Sequence, residues 1–85
     1  MKYGVKLTTT AQKERTRLDI ETRKRVDPVL LSLSEQPRPP GVQKLSASKS
    51  DFRLRVGNYR VLYEVDDDQK VVLVWRIAHR REVYR

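Results

Sequence analysis

The sequence predicts an α+β domain with an N-terminal strand, a helical hairpin and then an antiparallel meander sheet, in the order β-α-α-β-β-β. Three observations predict it. Polar and apolar residues alternate at the start of the chain and again in its second half. Between them, from about Thr8 to Leu33, the apolar residues fall at helical spacing. The segment Arg38-Pro39-Pro40-Gly41 then reads as a stiff, extended connector that separates the helical part from the strand-rich part. A chain of 85 residues is one domain by length, so residues 1–85 form a single unit.

Lys2-Tyr3-Gly4-Val5-Lys6-Leu7 reads as a half-buried strand with Tyr3, Val5 and Leu7 on one face. Thr9, with Gln12 three residues on, resembles a capping box and starts the first helix. Ala11, Glu14 or Arg15, and Leu18 mark its inner stripe. Asp19 caps a second helix with apolar positions at Ile20, Val26, Leu30 and Leu33. Pro28 either kinks that helix near Asp27 or splits it in two, because Asp-Pro is also a good helix opening.

Three strands follow the connector. In Asp51 to Val56, Phe52, Leu54 and Val56 face one way and Arg53 and Arg55 the other. Gly57-Asn58 reverses the chain into Tyr59 to Val65. Asp66-Asp67-Asp68-Gln69 is an exposed polar turn, read as solvated turn formers ahead of a cation site. Val71 to Ile77 is apolar on both faces, as a central strand should be. Glu82-Val83-Tyr84 could add a short final strand or a tail. With the helices on one sheet face, the other carries Arg53 and Arg55.

Composition excludes several classes. The longest apolar run, Val71 to Trp75, is far too short to span a bilayer, and no secretory signal is visible, so a cytoplasmic protein without a membrane partner is expected. The absence of cysteine rules out a disulfide scaffold, a thiol nucleophile and a Cys-based zinc site. One histidine, no Gly-rich phosphate loop and no Ser-His-Asp set leave no expected metal, cofactor or small-molecule ligand. Nineteen Lys and Arg against eleven Asp and Glu give a formal charge of +8, which favours a polyanionic partner over mere solubility.

The arginines are placed as well as abundant. Arg53 and Arg55 share a strand face, Arg60 begins the next strand, Arg76 ends the central one, and His79, Arg80, Arg81 and Tyr84 follow. Guanidinium groups stay charged and bind phosphate oxygens in bidentate fashion. A set of them converging on one face would hold an RNA phosphate. The plainer reading, a solvated face ion-paired to Glu64 and Glu82, is better for any one arginine and weaker for the set. Cleavage of RNA by its own 2′-hydroxyl needs a base, charge stabilisation on the phosphorane and a proton for the departing 5′ oxygen, and none of these requires a metal. Tyr84 could be the base if arginines lower its pKa from near 10, although an ordinary packed aromatic is an equal reading. His79 or Arg80 could donate the proton. Histidine suits acid–base work, whereas arginine, with a pKa above 12, is a poor acid.

The segment Leu54-Arg55-Val56-Gly57-Asn58-Tyr59-Arg60-Val61-Leu62-Tyr63-Glu64-Val65 resembles the centre of the RelE/ParE toxin superfamily. Arg76-Ile77-Ala78-His79-Arg80-Arg81-Glu82-Val83-Tyr84 resembles its C-terminal motif, and Pro37 to Leu45 its connector. The resemblance implies a toxin of a type II toxin–antitoxin pair. Its RelE branch implies a metal-independent endoribonuclease that cuts mRNA in the ribosomal A site and stops translation, with ribosome, mRNA and a cognate antitoxin as partners. On that resemblance Arg53 and Arg55 hold phosphate and ribosomal RNA, Arg60 stabilises the transition-state phosphate, Arg80 assists the leaving group and Tyr84 is base or orienting group, with His79 or Arg81 sharing the work. Arg76 and Arg81 complete the phosphate-binding set. Arginine stands at 53 and 55 where the best-studied pattern has lysine. The alternatives are a ParE-like toxin that inhibits DNA gyrase, and a basic RNA-binding module without cleavage.

Overall fold

The computed structural model describes residues 2–45 and 51–83. Its elements are β1 (Gly4–Leu7), α1 (Thr9–Arg17), α2 (Ile20–Ser32), β2 (Gln43–Lys44), β3 (Asp51–Val56), β4 (Tyr59–Asp66), β5 (Val71–His79) and α3 (Arg80–Val83). The strands form one sheet in the order β1-β5-β4-β3-β2. The expected meander is β3-β4-β5, antiparallel throughout. Two features extend it. β1 joins the far side of β5 in parallel register, Val5 opposite Val72 and Leu7 opposite Val74. The two-residue β2, not expected from the sequence, pairs Gln43 with Arg53 and Lys44 with Phe52.

The helices cover one face, as the alternation required. Ala11, Leu18, Val26, Leu30 and Leu33 pack on Phe52, Val56, Val61, Tyr63, Val65, Val72, Val74 and Ile77. At about 25 cal/mol for each Å² of apolar surface removed from water, this contact is the main stabilising term. Central β5 carries a bulge. Leu62 pairs with Arg76 and Tyr63 with Val74, so Trp75 is the extra residue and Ile77 returns to the core side.

Local details correct several expectations. α1 is capped one residue early, by Thr8, whose Oγ1 accepts from the Ala11 N–H at 3.2 Å. Asp19 does stand at the N-cap of α2, but its side chain makes no capping bond. Ile20 is 65% exposed, because it leads the helix before the inward stripe begins at Val26. Pro28 does not split α2, which runs unbroken from Ile20 to Ser32. Its exposed ring faces away from the sheet, so the lost backbone bond and not a packing defect is its main cost. The connector is not extended to its end: the Val42 N–H bonds the Pro39 carbonyl at 3.2 Å across Pro40-Gly41, with Gly41 at φ +89°. That is a type II turn, and glycine is what its third position demands. Gly57-Asn58 closes the β3–β4 hairpin with positive φ at Gly57 alone, the II′ pattern.

The acidic turn is more than solvated. Asp67 accepts from Tyr3 Oη at 2.6 Å and from both Arg38 terminal nitrogens at 3.3 and 2.8 Å. It ties the N-terminal strand and the connector to the β4–β5 turn. The final strand does not form. From Arg80 the chain turns into α3, because the Arg80 N–H bonds the Asn58 carbonyl at 2.8 Å and diverts the backbone across the end of the sheet. Tyr84 lies outside the described residues.

Candidate functional site

The sheet face opposite the helices is built by alternation on β3 and β4. Arg53 pairs with Leu62, and Arg55 stands directly opposite Arg60. Leu62 and Ala78 are buried yet lie outside the core cluster, as residues of this second face must. Arg60 is itself only 7% exposed, and its Nη1 donates to the Tyr59 carbonyl at 3.3 Å. Arg55 Nε donates to the Gly57 carbonyl at 3.2 Å, which holds its stem along the hairpin turn.

Arg53, Arg55 and Arg60 line a cleft of about 260 Å³ together with Gly41 and Gln43. The connector turn brings Gly41 there, and β2 brings Gln43, whose Oε1 accepts from Arg53 Nη2. Among the described residues, no carboxylate lines this cleft. Arg55 and Arg60 set two guanidinium groups at one ladder position. A phosphate suits such a pair, because each guanidinium offers a planar fork of donors.

The other predicted residues fall in different places. Arg80 and Arg81 are exposed on α3, and the Arg80–Asn58 bond brings the start of α3 to the hairpin end where Arg55 and Arg60 stand. Arg76 is engaged elsewhere. Its Nε donates to Glu14 Oε2 at 2.8 Å, while Glu14 Oε1 accepts from the Ile77 N–H at 2.7 Å. β1 pairs with β5 only as far as Val74, so Glu14 of α1 satisfies the open edge beyond it. His79 lies in the register of the core face, opposite Tyr59, with the two rings edge-on at 5.4 Å. Its Nδ1 accepts from the Arg81 N–H at 3.2 Å.

Sequence reasoning missed Gln43, Gly41 and Arg25. Arg25 of α2 lays its guanidinium against Gly57, where a methyl would come within 3.0 Å of Nη1. Val42-Gln43-Lys44-Leu45 has no period, so no local signal marked Gln43. Nothing local marked Arg25 among the many basic helix residues. Among the described residues, the one strongly shifted phenol is elsewhere. Burial pushes Tyr63 up to about 12, and its hydroxyl donates to the Pro37 carbonyl at 2.7 Å, so it anchors the connector. Among the described residues no group of His, Asp and Glu could hold a metal, and no helix is long and apolar enough to cross a membrane.

A family profile described as "ParE toxin of type II toxin-antitoxin system, parDE" matches residues 5–84. The chain belongs to the RelE/ParE toxin superfamily. It is 33% identical to Toxin RelG of Mycobacterium tuberculosis over 86 aligned positions, which cover 100% of this chain and 99% of that one. The toxin's fold matches the archaeal RelE–RelB complex of Pyrococcus horikoshii with a TM-score of 0.84 at 28% identity, covering 94% of this chain and 97% of that one. It matches the isolated RelE toxin of E. coli with a TM-score of 0.82 at 28% identity, covering 96% and 90%. The protein is thus a type II toxin–antitoxin toxin of the RelE kind, with the expected α+β architecture.

Proposed function

We propose that this toxin is a ribosome-dependent, metal-independent endoribonuclease that cuts mRNA in the ribosomal A site. The observation that carries the reading is the cleft in which Arg53, Arg55 and Arg60 converge. In the proposed reaction the 2′-oxygen bonds to the adjacent phosphorus and the bond to the 5′ oxygen breaks. A cyclic phosphate and a free 5′ hydroxyl result. The 2′-hydroxyl proton passes to Tyr84, or to a base that Tyr84 orients. Arg60, fixed by burial, stabilises the charge on the pentavalent phosphorus. Arg53 and Arg55 hold the flanking phosphates, and Arg81 extends that track. Arg80, too basic to be an efficient acid, supports the departing 5′ oxygen by charge, and solvent water supplies the proton that completes the 5′ hydroxyl. Arg76 and His79 serve by holding β5 and α3 in place.

So sparse a catalytic set depends on another macromolecule to align the RNA, which is the role we give the ribosome. A RelB-type antitoxin is the proposed neutralising partner. Solved complexes of relatives from P. horikoshii and M. tuberculosis are toxin–antitoxin pairs, and an acidic, partly disordered chain would complement the +8 charge. The toxin would act in the cytoplasm, where translating ribosomes are.

The test is induction from a tight promoter, with mRNA 5′ ends mapped beside an Arg60→Ala, Tyr84→Ala double variant. New cuts confined to translated frames and absent in the variant are expected. The family profile's ParE description favours gyrase inhibition as the second reading. Growth arrest with DNA breaks, no mRNA cuts and no dependence on Arg60 would establish that instead.

A further inference from the structure

The arginines of the helical layer look alike in the sequence, and the structure sorts them. Arg15 is claimed by Asp27, with bonds of 2.8 and 2.7 Å. Arg23 Nη2 donates to the Thr16 and Leu18 carbonyls at 2.8 and 3.0 Å, so it closes the end of α1. Arg25 does neither. It is exposed, and among the described residues no carboxylate pairs with it. Its guanidinium lies instead on the β3–β4 turn. A Cβ at Gly57 would meet Arg25 Nη1, Cζ and Nη2 at 3.0, 3.3 and 3.4 Å. Distances so nearly equal mean that the flat face of the group covers the glycine. The N–H donors of a guanidinium lie in its plane, so this contact spends none of them.

The same glycine holds a second guanidinium, because Arg55 Nε donates to the Gly57 carbonyl at 3.2 Å. Arg55 in turn stands opposite Arg60, the buried arginine of the cleft. The next residue, Asn58, accepts the Arg80 N–H at 2.8 Å. Cationic residues of α2, β3, β4 and α3 are thus gathered around one two-residue turn. They are graded in depth, with Arg60 buried and Arg55, Arg25 and Arg80 exposed. We propose that Arg25 is a further phosphate-binding residue, and that the Gly57-Asn58 turn is a second seat where an RNA backbone continues beyond the arginine cleft.

The proposal deepens the nuclease reading above and rests on it for the choice of RNA. What favours RNA over an acidic protein is continuity: phosphates repeat along one strand, and a strand held by Arg60 and Arg55 passes the turn next. The strand that is cut and the ribosomal RNA offer the same phosphate chemistry, and the two sources are separable by experiment.

The full chain is titrated with a fluorescent 2′-O-methyl RNA octamer, which has no free 2′-hydroxyl to attack, and in parallel with ribosomes free of mRNA. Arg25→Ala should lower the log–log salt slope of octamer binding by about 0.7, the share of one phosphate on a single strand. Arg25→Lys keeps the charge and should keep the slope. Lys24→Ala removes the same charge from the neighbouring exposed position and should leave the slope nearly unchanged. A loss in the octamer arm assigns the seat to the strand that is cut, and a loss confined to the ribosome arm assigns it to ribosomal RNA. Equal losses from Lys24→Ala and Arg25→Ala would mean a diffuse basic surface and overturn the proposal. So would Arg25→Ala leaving both arms unchanged while lowering the melting temperature, since Arg25 would then only pack on the turn. Weaker binding of poly-L-glutamate with both RNA arms intact would give the turn to an acidic protein and also overturn it. If the toxin cuts no mRNA in translating cells yet the slope falls as expected, the nuclease reading fails and the second seat stands.

Discussion

Gly57 shows how one atom can be excluded twice. Its φ of +60° suits glycine, and a Cβ would press on the Arg25 guanidinium at 3.0 Å. The second conflict is cheap, since a long side chain can swing away, whereas the first is fixed in the backbone. Gly57→Ala should therefore cost about 1–2 kcal/mol in urea unfolding, and adding Arg25→Ala should recover little of it. Asp27 offers a test by pH. Arg15 donates to both its oxygens at 2.8 and 2.7 Å, and these bonds hold the carboxyl below the usual carboxylate range. A depressed folded pKa contributes stability above the unfolded value, lost as pH falls through the folded one. Both side chains are about a third exposed, at 33% and 35%, so solvent screening limits the effect. Between pH 5 and 2 wild type should lose about 0.5–1 kcal/mol more than Asp27→Asn, read as a difference in unfolding midpoints.

At the scale of the element, α2 carries a known defect. Pro28 deprives the Lys24 carbonyl of its helical partner, and its ring is exposed, so nothing in the core depends on it. Pro28→Ala should stabilise the toxin by about 1–3 kcal/mol and raise its melting temperature. Helices covering one sheet face, the β3–β4 hairpin and the apolar β5 were legible because each depends on a local period. The first cap was misplaced by one residue because three threonines stand in a row at Thr8-Thr9-Thr10, and only the backbone decides which hydroxyl meets a free N–H. β2 was not legible. Two exposed residues carry no period, and the strand exists only because the connector turn lays it beside β3. The same holds for α3, whose Arg-Arg-Glu-Val composition fits strand, tail or helix equally.

For the whole molecule, the charge of +8 gives attraction to RNA but no address. The proposed seat is the cleft. If Arg53, Arg55 and Arg60 each neutralise a phosphate of a single strand, the log–log salt slope of RNA binding should be near −2, about 0.7 for each contact. Arg55→Ala should reduce the slope by about 0.7 in a fluorescence titration. A slope unchanged by that substitution would mean that RNA adheres to the general basic surface and that the cleft is not its seat.

The sequence by itself determined the layer architecture, the order of the main elements and the strand face on which Arg53 and Arg55 stand. Those follow from periods of 2 and 3.6 residues, which are properties of the chain alone. Only the tertiary structure decided which arginines share a site. Arg76 looked as available as Arg60, yet the end of β1 leaves an open edge on β5, and Glu14 claims both that edge and the Arg76 guanidinium. His79 is set opposite Tyr59 by the β4–β5 register, with its Nδ1 accepting from the Arg81 N–H. Pairing across distant segments is settled by which polar groups the fold leaves unsatisfied, and no local period records that.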